Sequence, residues 1–216
     1  MGHPYWPMFD LEIRTPRLRI RYPDDDELTQ IAALAAAGIH DPGVMPFGIP
    51  WTDQPSPQLE RSALQFHWRN RADLTPASFR LPMVVREGGQ IVGMTDLAAT
   101  HFTTTRQFET GSWLGRPFQG RGIGKEMRLA TLTLGFVGLG ADFALTAAWH
   151  DNGPSNGVTR SLGYELVGRR REMRRDEAVE QLHYRMDRDR FETIRRDDIE
   201  LVGVDGVRAV LEIPAP

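Results

Sequence analysis

The stretch "GSWLGRPFQGRGIGKEM", Gly111 to Met127, decides how this chain is read. At its centre stands Gln119-Gly120-Arg121-Gly122-Ile123-Gly124-Lys125, with a strand-like run before it and a helix-like run after it. Glycines let backbone N–H groups come close to a ligand. The helix starting near Gly124 points its positive end at the same place, so the turn suits a phosphate. A Walker-type loop needs G-x-x-x-x-G-K-[ST]. Gly115 and Gly120 have that spacing, but Arg121 and Gly122 follow, and no Ser or Thr stands ready for magnesium. A dinucleotide turn needs G-x-G-x-x-G, and here the third glycine, Gly124, comes one residue early. What survives is Gln-x-x-Gly-x-Gly, a magnesium-free nest for a pyrophosphate, to which Arg121 and Lys125 can add charge. The plainer alternative is a tight strand-to-helix turn with no ligand.

Outward from the loop, the chain alternates strands with single helices. "TPRLRIRYP" alternates Leu18, Ile20 and Tyr22 with arginines and reads as a first strand. "DDDEL" supplies N-cap acids for a helix carrying Leu28, Ile31 and Leu34. A long loop, "HDPGVMPFGIPWTDQPSPQ", leads to a second helix whose expected N-cap and first turn are Ser56 and Pro57. Two strands follow around Gly88-Gly89, then the strand "FETGSWLG". After the loop come the apolar helix "KEMRLATLTLGFVGLG", the buried strand "FALTAAWH", a short helix closing at Gly163, and the strands "YELVGRRREMRR" and "EQLHYRMDRD". The tail "IELVGVDGVRAVLEI" reads as a β-hairpin turning at Asp205-Gly206. The fold class is therefore α/β, a mixed central sheet flanked by helices with a C-terminal β-hairpin extension. One domain over 1–216 is expected, with its core at about 11–189 and the extension at 190–216.

Composition narrows the function. The chain of 216 residues has no cysteine, which removes disulfides, zinc–thiolate sites and a cysteine nucleophile. Its net charge of -3 gives no basic excess for nucleic acid. No apolar run reaches membrane-spanning length, and "MGHPYWPMFDLEIR" lacks the pattern of a signal peptide, so a soluble cytoplasmic protein is expected. Lys125 is the sole lysine, against a background of arginine that reflects codon bias.

The Gln-x-x-Gly-x-Gly loop between strand and long helix resembles the coenzyme A pyrophosphate loop of the GNAT acyltransferase superfamily. "TPRLRIR", "ETGSWL" and "NGPSNGVTRSLGYELVG" extend the likeness to the RimJ/RimL-type branch over roughly Leu11 to Asp189. "WPMFDLEIRTPRL", "HDPGVMPFGIPWT" and "TRQFETGSWLG" are similar to an actinobacterial subgroup for which succinyl-coenzyme A is the proposed donor. The resemblance implies a GNAT fold and acyl transfer from acetyl- or succinyl-coenzyme A to a primary amine. The acceptor would be a small molecule, a protein N-terminus or a lysine. It implies no metal and leaves a homo-oligomer open, while the charge balance and the lack of a long apolar run leave no nucleic acid or membrane partner expected.

It also implies roles for residues. The backbone from Gln119 to Lys125 would hold the pyrophosphate, through Gly120, Arg121, Gly122, Ile123 and Gly124. Trp113, Leu114 and Gly115 match a bulge whose N–H groups bind thioester and pantetheine. Asn152 would reach the pantetheine arm with Asn156 beside it, and Ser155 would protonate the leaving thiolate. Helix capping is the alternative for Asn152 and Ser155. Glu109 shares a strand face with Gly111 and Trp113 and is the candidate base; an exposed Glu paired with an arginine is the alternative. His150, His101, Asp96 and Glu172 are its rivals. His40, Met45, Phe47 and Trp51 would line the acceptor or acyl end, and Arg106 or His40 would meet a succinyl carboxylate. Two other classes compete with the enzyme: a catalytically silent coenzyme-A-binding sensor of the same fold, and a nucleotide-binding module, which the missing Walker motif disfavours.

Overall fold

The computed structural model describes residues 2–215. Strands β1 (Glu12–Arg14) and β2 (Leu18–Arg21) form the first hairpin. Helix α1 (Asp25–Ala36) starts in a capping box: Asp24 Oδ1 accepts the Glu27 N–H at 2.8 Å, and Glu27 Oε2 accepts the Asp24 N–H at 3.2 Å. The expected acids thus do their work through one reciprocal pair. Helix α2 (Gln58–Ala72) follows the long loop. Ser56 does not cap it; its hydroxyl donates to the Glu60 carboxylate. Strands β3 (Ser78–Glu87) and β4 (Gln90–Thr100) turn at Gly88-Gly89, both left-handed, as a two-residue hairpin requires.

A short helix α3 (Phe102–Thr105) leads into β5 (Gln107–Leu114), the glycine loop, and α4 (Ile123–Thr133). α4 ends in a π-helical turn, Leu134–Gly138, where Gly135 leaves the room that the Phe108 ring fills. Then come β6 (Phe143–Trp149), α5 (Gly153–Ser161), β7 (Glu165–Arg174), β8 (Glu177–Asp187), α6 (Arg188–Glu192), β9 (Glu200–Val202) and α7 (Val204–Leu211).

The strands make one nine-stranded sheet in the order β7-β8-β6-β5-β4-β3-β2-β1-β9. Every neighbouring pair is antiparallel except β5–β6. Side chains alternate between faces, so two cores form. On one face, Leu28 and Ile31 of α1 pack on Val84, Ile91 and Met94. On the other, Met127, Ala130 and Leu134 join Leu97, Phe108 and Phe136 in the main core, and a Thr95–Thr131 hydroxyl contact at 3.0 Å marks α4's seat on β4.

The C-terminal hairpin is not formed. β9 pairs with β1 and adds an edge to the sheet, while the following residues coil into α7. Val207 and Leu211 are fully buried, and Val204 packs beside them, so apolar residues recur three and four apart rather than two. The turn expected at Asp205-Gly206 sits instead at Gly203, whose φ of 76° is left-handed and whose Cα lies against the Asp10 backbone. β1 is a second departure: three residues are too few to show a period in sequence.

Candidate active site

The sheet opens at its one parallel pair. β5 and β6 are in register only from Gln107–Phe143 to Glu109–Leu145. Beyond that, β6 continues to pair with β8 as far as Trp149, and β5 continues on β4 as far as Leu114. The gap is bridged by side chains: Thr146 Oγ1 donates to Thr110 O at 3.2 Å.

Register decides which backbone groups enter the gap. Gly115 donates to Val92 O at 3.0 Å, and the Gly111 N–H goes to Asp96 Oδ1 at 2.7 Å, so both face β4. Alternation turns Trp113 the same way and turns Thr110, Ser112 and Leu114 toward β6. Of the three residues expected at the bulge, Leu114 turns its amide to the gap, whereas the amides of Trp113 and Gly115 are used by β4; the Ser112 amide faces the gap as well. Its parity could be known only once β5 had a partner.

The glycine loop closes the open end. The amides from Gly120 to Lys125 donate to no oxygen among the described residues, and the first intrahelical bond is Glu126 N–H to Gly122 O at 3.3 Å. No side chain caps α4. Gly120 and Gly122, at φ 72° and 79°, are left-handed, and a side chain at Gly120 would meet nothing. An unsatisfied run of N–H groups at a helix start, facing open space, is a built anion site. Ile123 anchors it by burying its side chain in the core. The side chains of Gln119 and Arg121 hold the loop in place. Gln119 Nε2 donates to Ile39 O at 2.6 Å and Leu114 O at 2.8 Å. Arg121 pairs with Glu87 at 2.7 Å, beside Arg17 on the same carboxylate. Lys125 is exposed and makes no ion pair among the described residues, so it is the loop's available cation.

α5 sets the second wall. Asn152 Oδ1 accepts the Ser155 N–H at 3.1 Å and caps the helix. The Ser155 hydroxyl is half-buried and engaged by nothing described. Asn156 is fully buried and fully used: Nδ2 donates to Trp149 O at 2.8 Å and Oδ1 accepts from Tyr184 at 2.9 Å. It pins α5 to β6 and β8, which corrects its expected contact with a cofactor.

Glu109 stands at the vertex of the gap. It is exposed, has no ion-pair partner among the described residues, and faces a groove lined by Asn70, Asp73, Arg80, Ala98, Gln107 and Leu145. Its rivals are placed less well. Asp96 is occupied by Arg80 and the Gly111 N–H. His101 caps α3 at the far end of β5, His150 lies against Glu180 O, and Glu172 is exposed on the edge strand β7.

The long loop crosses the open end. Phe47 O accepts from Trp149 Nε1 at 3.1 Å, and the rings of Phe47, Trp51 and Trp113 meet in sequence at tilted angles. Met45 is buried beneath it. Arg175, in the β7–β8 turn, fastens the loop through Asp53 at 2.7 and 2.8 Å and Pro42 O at 3.2 Å. Those guanidinium hydrogen bonds hold the Asp53 carboxyl below its ordinary range. His40 spends both ring nitrogens on the loop itself, on Asp41 O and Thr52 Oγ1. Arg106 is not brought to the site. It precedes β5 at the closed end of the sheet and pairs with Asp142 at 3.6 Å, because its left-handed backbone turns α3 into the strand.

A mixed sheet parted at its parallel pair, with a glycine turn feeding a helix at the open end, defines a GNAT-type fold. Residues 17–165 match the acetyltransferase (GNAT) domain family, and the chain belongs to it. Solved structures share the fold at low identity. A RimL ribosomal L7/L12 alpha-N-protein acetyltransferase in complex with coenzyme A is 16% identical, with TM-score 0.65, covering 82% of this chain and 97% of its own. A GNAT-family acetyltransferase from Bacillus anthracis is 17% identical, with TM-score 0.65, covering 82% and 99%. The microcin C7 self-immunity acetyltransferase MccE, in complex with acetyl-CoA and AMP, is 16% identical, with TM-score 0.64, covering 80% and 93%. No helix among the described residues is long and apolar enough to cross a membrane.

Proposed function

We propose that this protein is an N-acyltransferase that moves an acyl group, acetyl or succinyl, from coenzyme A to a primary amine in the cytoplasm. One observation carries the reading: the gap runs from the unsatisfied amides of Gly120–Lys125, past the inward amides of Leu114 and Ser112, to the free carboxylate of Glu109. Those groups fit a coenzyme A thioester, with its diphosphate at the helix start and its acyl end at the vertex.

In this reading the Ser112 N–H holds the thioester carbonyl oxygen and stabilises the charge that develops on it. Glu109 accepts the proton that the amine nitrogen sheds as its C–N bond forms. The C–S bond then breaks, and Ser155 returns a proton to the departing sulfur. No group of the chain is acylated. The acceptor is a protein N-terminus, as the RimL neighbour's name says of that enzyme, a lysine, or a small amine. The groove beside Glu109 could admit either.

The test is a thiol-release assay over a panel of amines, with calorimetry of coenzyme A binding. Turnover is expected with at least one amine. Glu109→Gln should lower kcat by about 10²–10⁴-fold while coenzyme A affinity holds. Saturable binding with no turnover on any amine would favour the silent sensor. Absence of binding would sink both.

A further inference from the structure

Two side chains that carry a full charge at neutral pH are buried among the described residues, Glu27 and Arg128. Glu27 is matched: Arg21 and Arg86 meet its carboxylate at 3.3 and 3.1 Å. Arg128, only 4% exposed, has no carboxylate within ion-pairing distance among the described residues. Its guanidinium is held by neutral hydroxyls, Ser112 Oγ at 3.1 Å and Thr146 Oγ1 at 3.2 Å, and its Nε has no partner. The buried hydroxyls of Thr110 and Tyr164 lack partners too. Tyr164 lies close enough that Arg128 offsets part of the upward push burial gives its phenol.

A guanidinium does not shed its proton to escape burial. Taking it out of water is costly, and hydroxyl dipoles return only part of that cost. The balance closes when an anion arrives from outside the chain. The position says which one. Ser112 is on β5 and Thr146 on β6, both just past the last paired residues, Glu109 and Leu145. Arg128 therefore spans the gap from the α4 side, between the amide nest and Glu109. That is where the acyl end of the donor lies in the reading above, on which this inference rests.

We propose that Arg128 determines donor specificity by taking a carboxylate at the far end of the acyl chain. The donor is then a coenzyme A thioester of a short dicarboxylic acid rather than acetyl-coenzyme A. Arg106, at the other end of β5, is spent on Asp142, and His40 spends both ring nitrogens on the long loop. A competing role for Arg128, stabilising the tetrahedral oxyanion, would serve every acyl group alike.

The experiment compares coenzyme A, acetyl-coenzyme A, succinyl-coenzyme A and glutaryl-coenzyme A by calorimetry and by thiol release. The wild type should bind a dicarboxylic form at least about tenfold more tightly than the acetyl form. Arg128→Met should bring the two to parity, and Arg128→Lys should keep part of the preference. Parity in the wild type overturns the proposal, and so does a preference that survives Arg128→Met. A uniform fall in kcat for all donors in Arg128→Met assigns the oxyanion role and also overturns it. If Arg128→Met does not fold, the wild-type series with Arg128→Lys decides. Equal binding of every donor defeats this inference alone, whereas binding of none, free coenzyme A included, defeats the acyltransfer reading as well.

Discussion

At the scale of single residues, Gly124 separates what the protein needs from what a ligand needs. Its backbone is helical, and an added Cβ would make only ordinary contacts, at 3.8 Å with Val158 and 3.9 Å with Leu114. Gly124→Ala should therefore fold as well as the parent, or better by up to ~1 kcal/mol from helix propensity. The new methyl would stand between the end of β5 and α5, at the mouth of the gap. Coenzyme A affinity should fall by about tenfold or more in calorimetry while the melting temperature holds. Unchanged affinity would mean the diphosphate does not sit in this turn. Glycine spacing made the loop legible in the sequence. Ser112 was not, because which amides face the gap is a matter of pairing parity. Arg128 carries a signal of its own: in "KEMRLATLT" it is three and four residues from Thr131 and Leu132, both buried, so its own helix turns it inward.

At the scale of elements, the tail shows two local rules in competition. Asp-Gly favours a hairpin, but Val204, Val207 and Leu211 share a helical face, and the core on offer rewards that face. Leu211 has no exposure, so Leu211→Ala should cost about 2–5 kcal/mol in denaturant unfolding. A loss below about 1 kcal/mol would argue that α7 is not docked as described. The capping box of α1 and the Gly88-Gly89 turn were readable because neighbours in sequence make them. β9 lies in the run expected as a strand, but its partner was not readable, because it pairs with β1, at the other end of the chain.

At the scale of the whole molecule, acid stability has an identifiable weak point. His67, on α2, is buried with Nδ1 unpartnered, and burial lowers its pKa from 6.5 to about 4. The unfolded chain takes up a proton near pH 6.5 and the folded one does not until about pH 4, so stability is intact above 6.5 and falls as pH drops between those values. The loss from this group is about 3 kcal/mol by pH 4. His67→Gln should flatten that part of the stability–pH curve in urea titrations; an unchanged slope would move the cause elsewhere. The parted strands have a mechanical consequence as well. The sheet is two ribbons, β1–β5 with β9 and β6–β8, stitched along a seam of three residue pairs and a few side-chain bridges. A crack that short concentrates bending at Glu109 and Leu145. Whatever wedges into it levers one ribbon against the other, so occupancy of the gap should be felt as a change of angle at the far edge strand, β7.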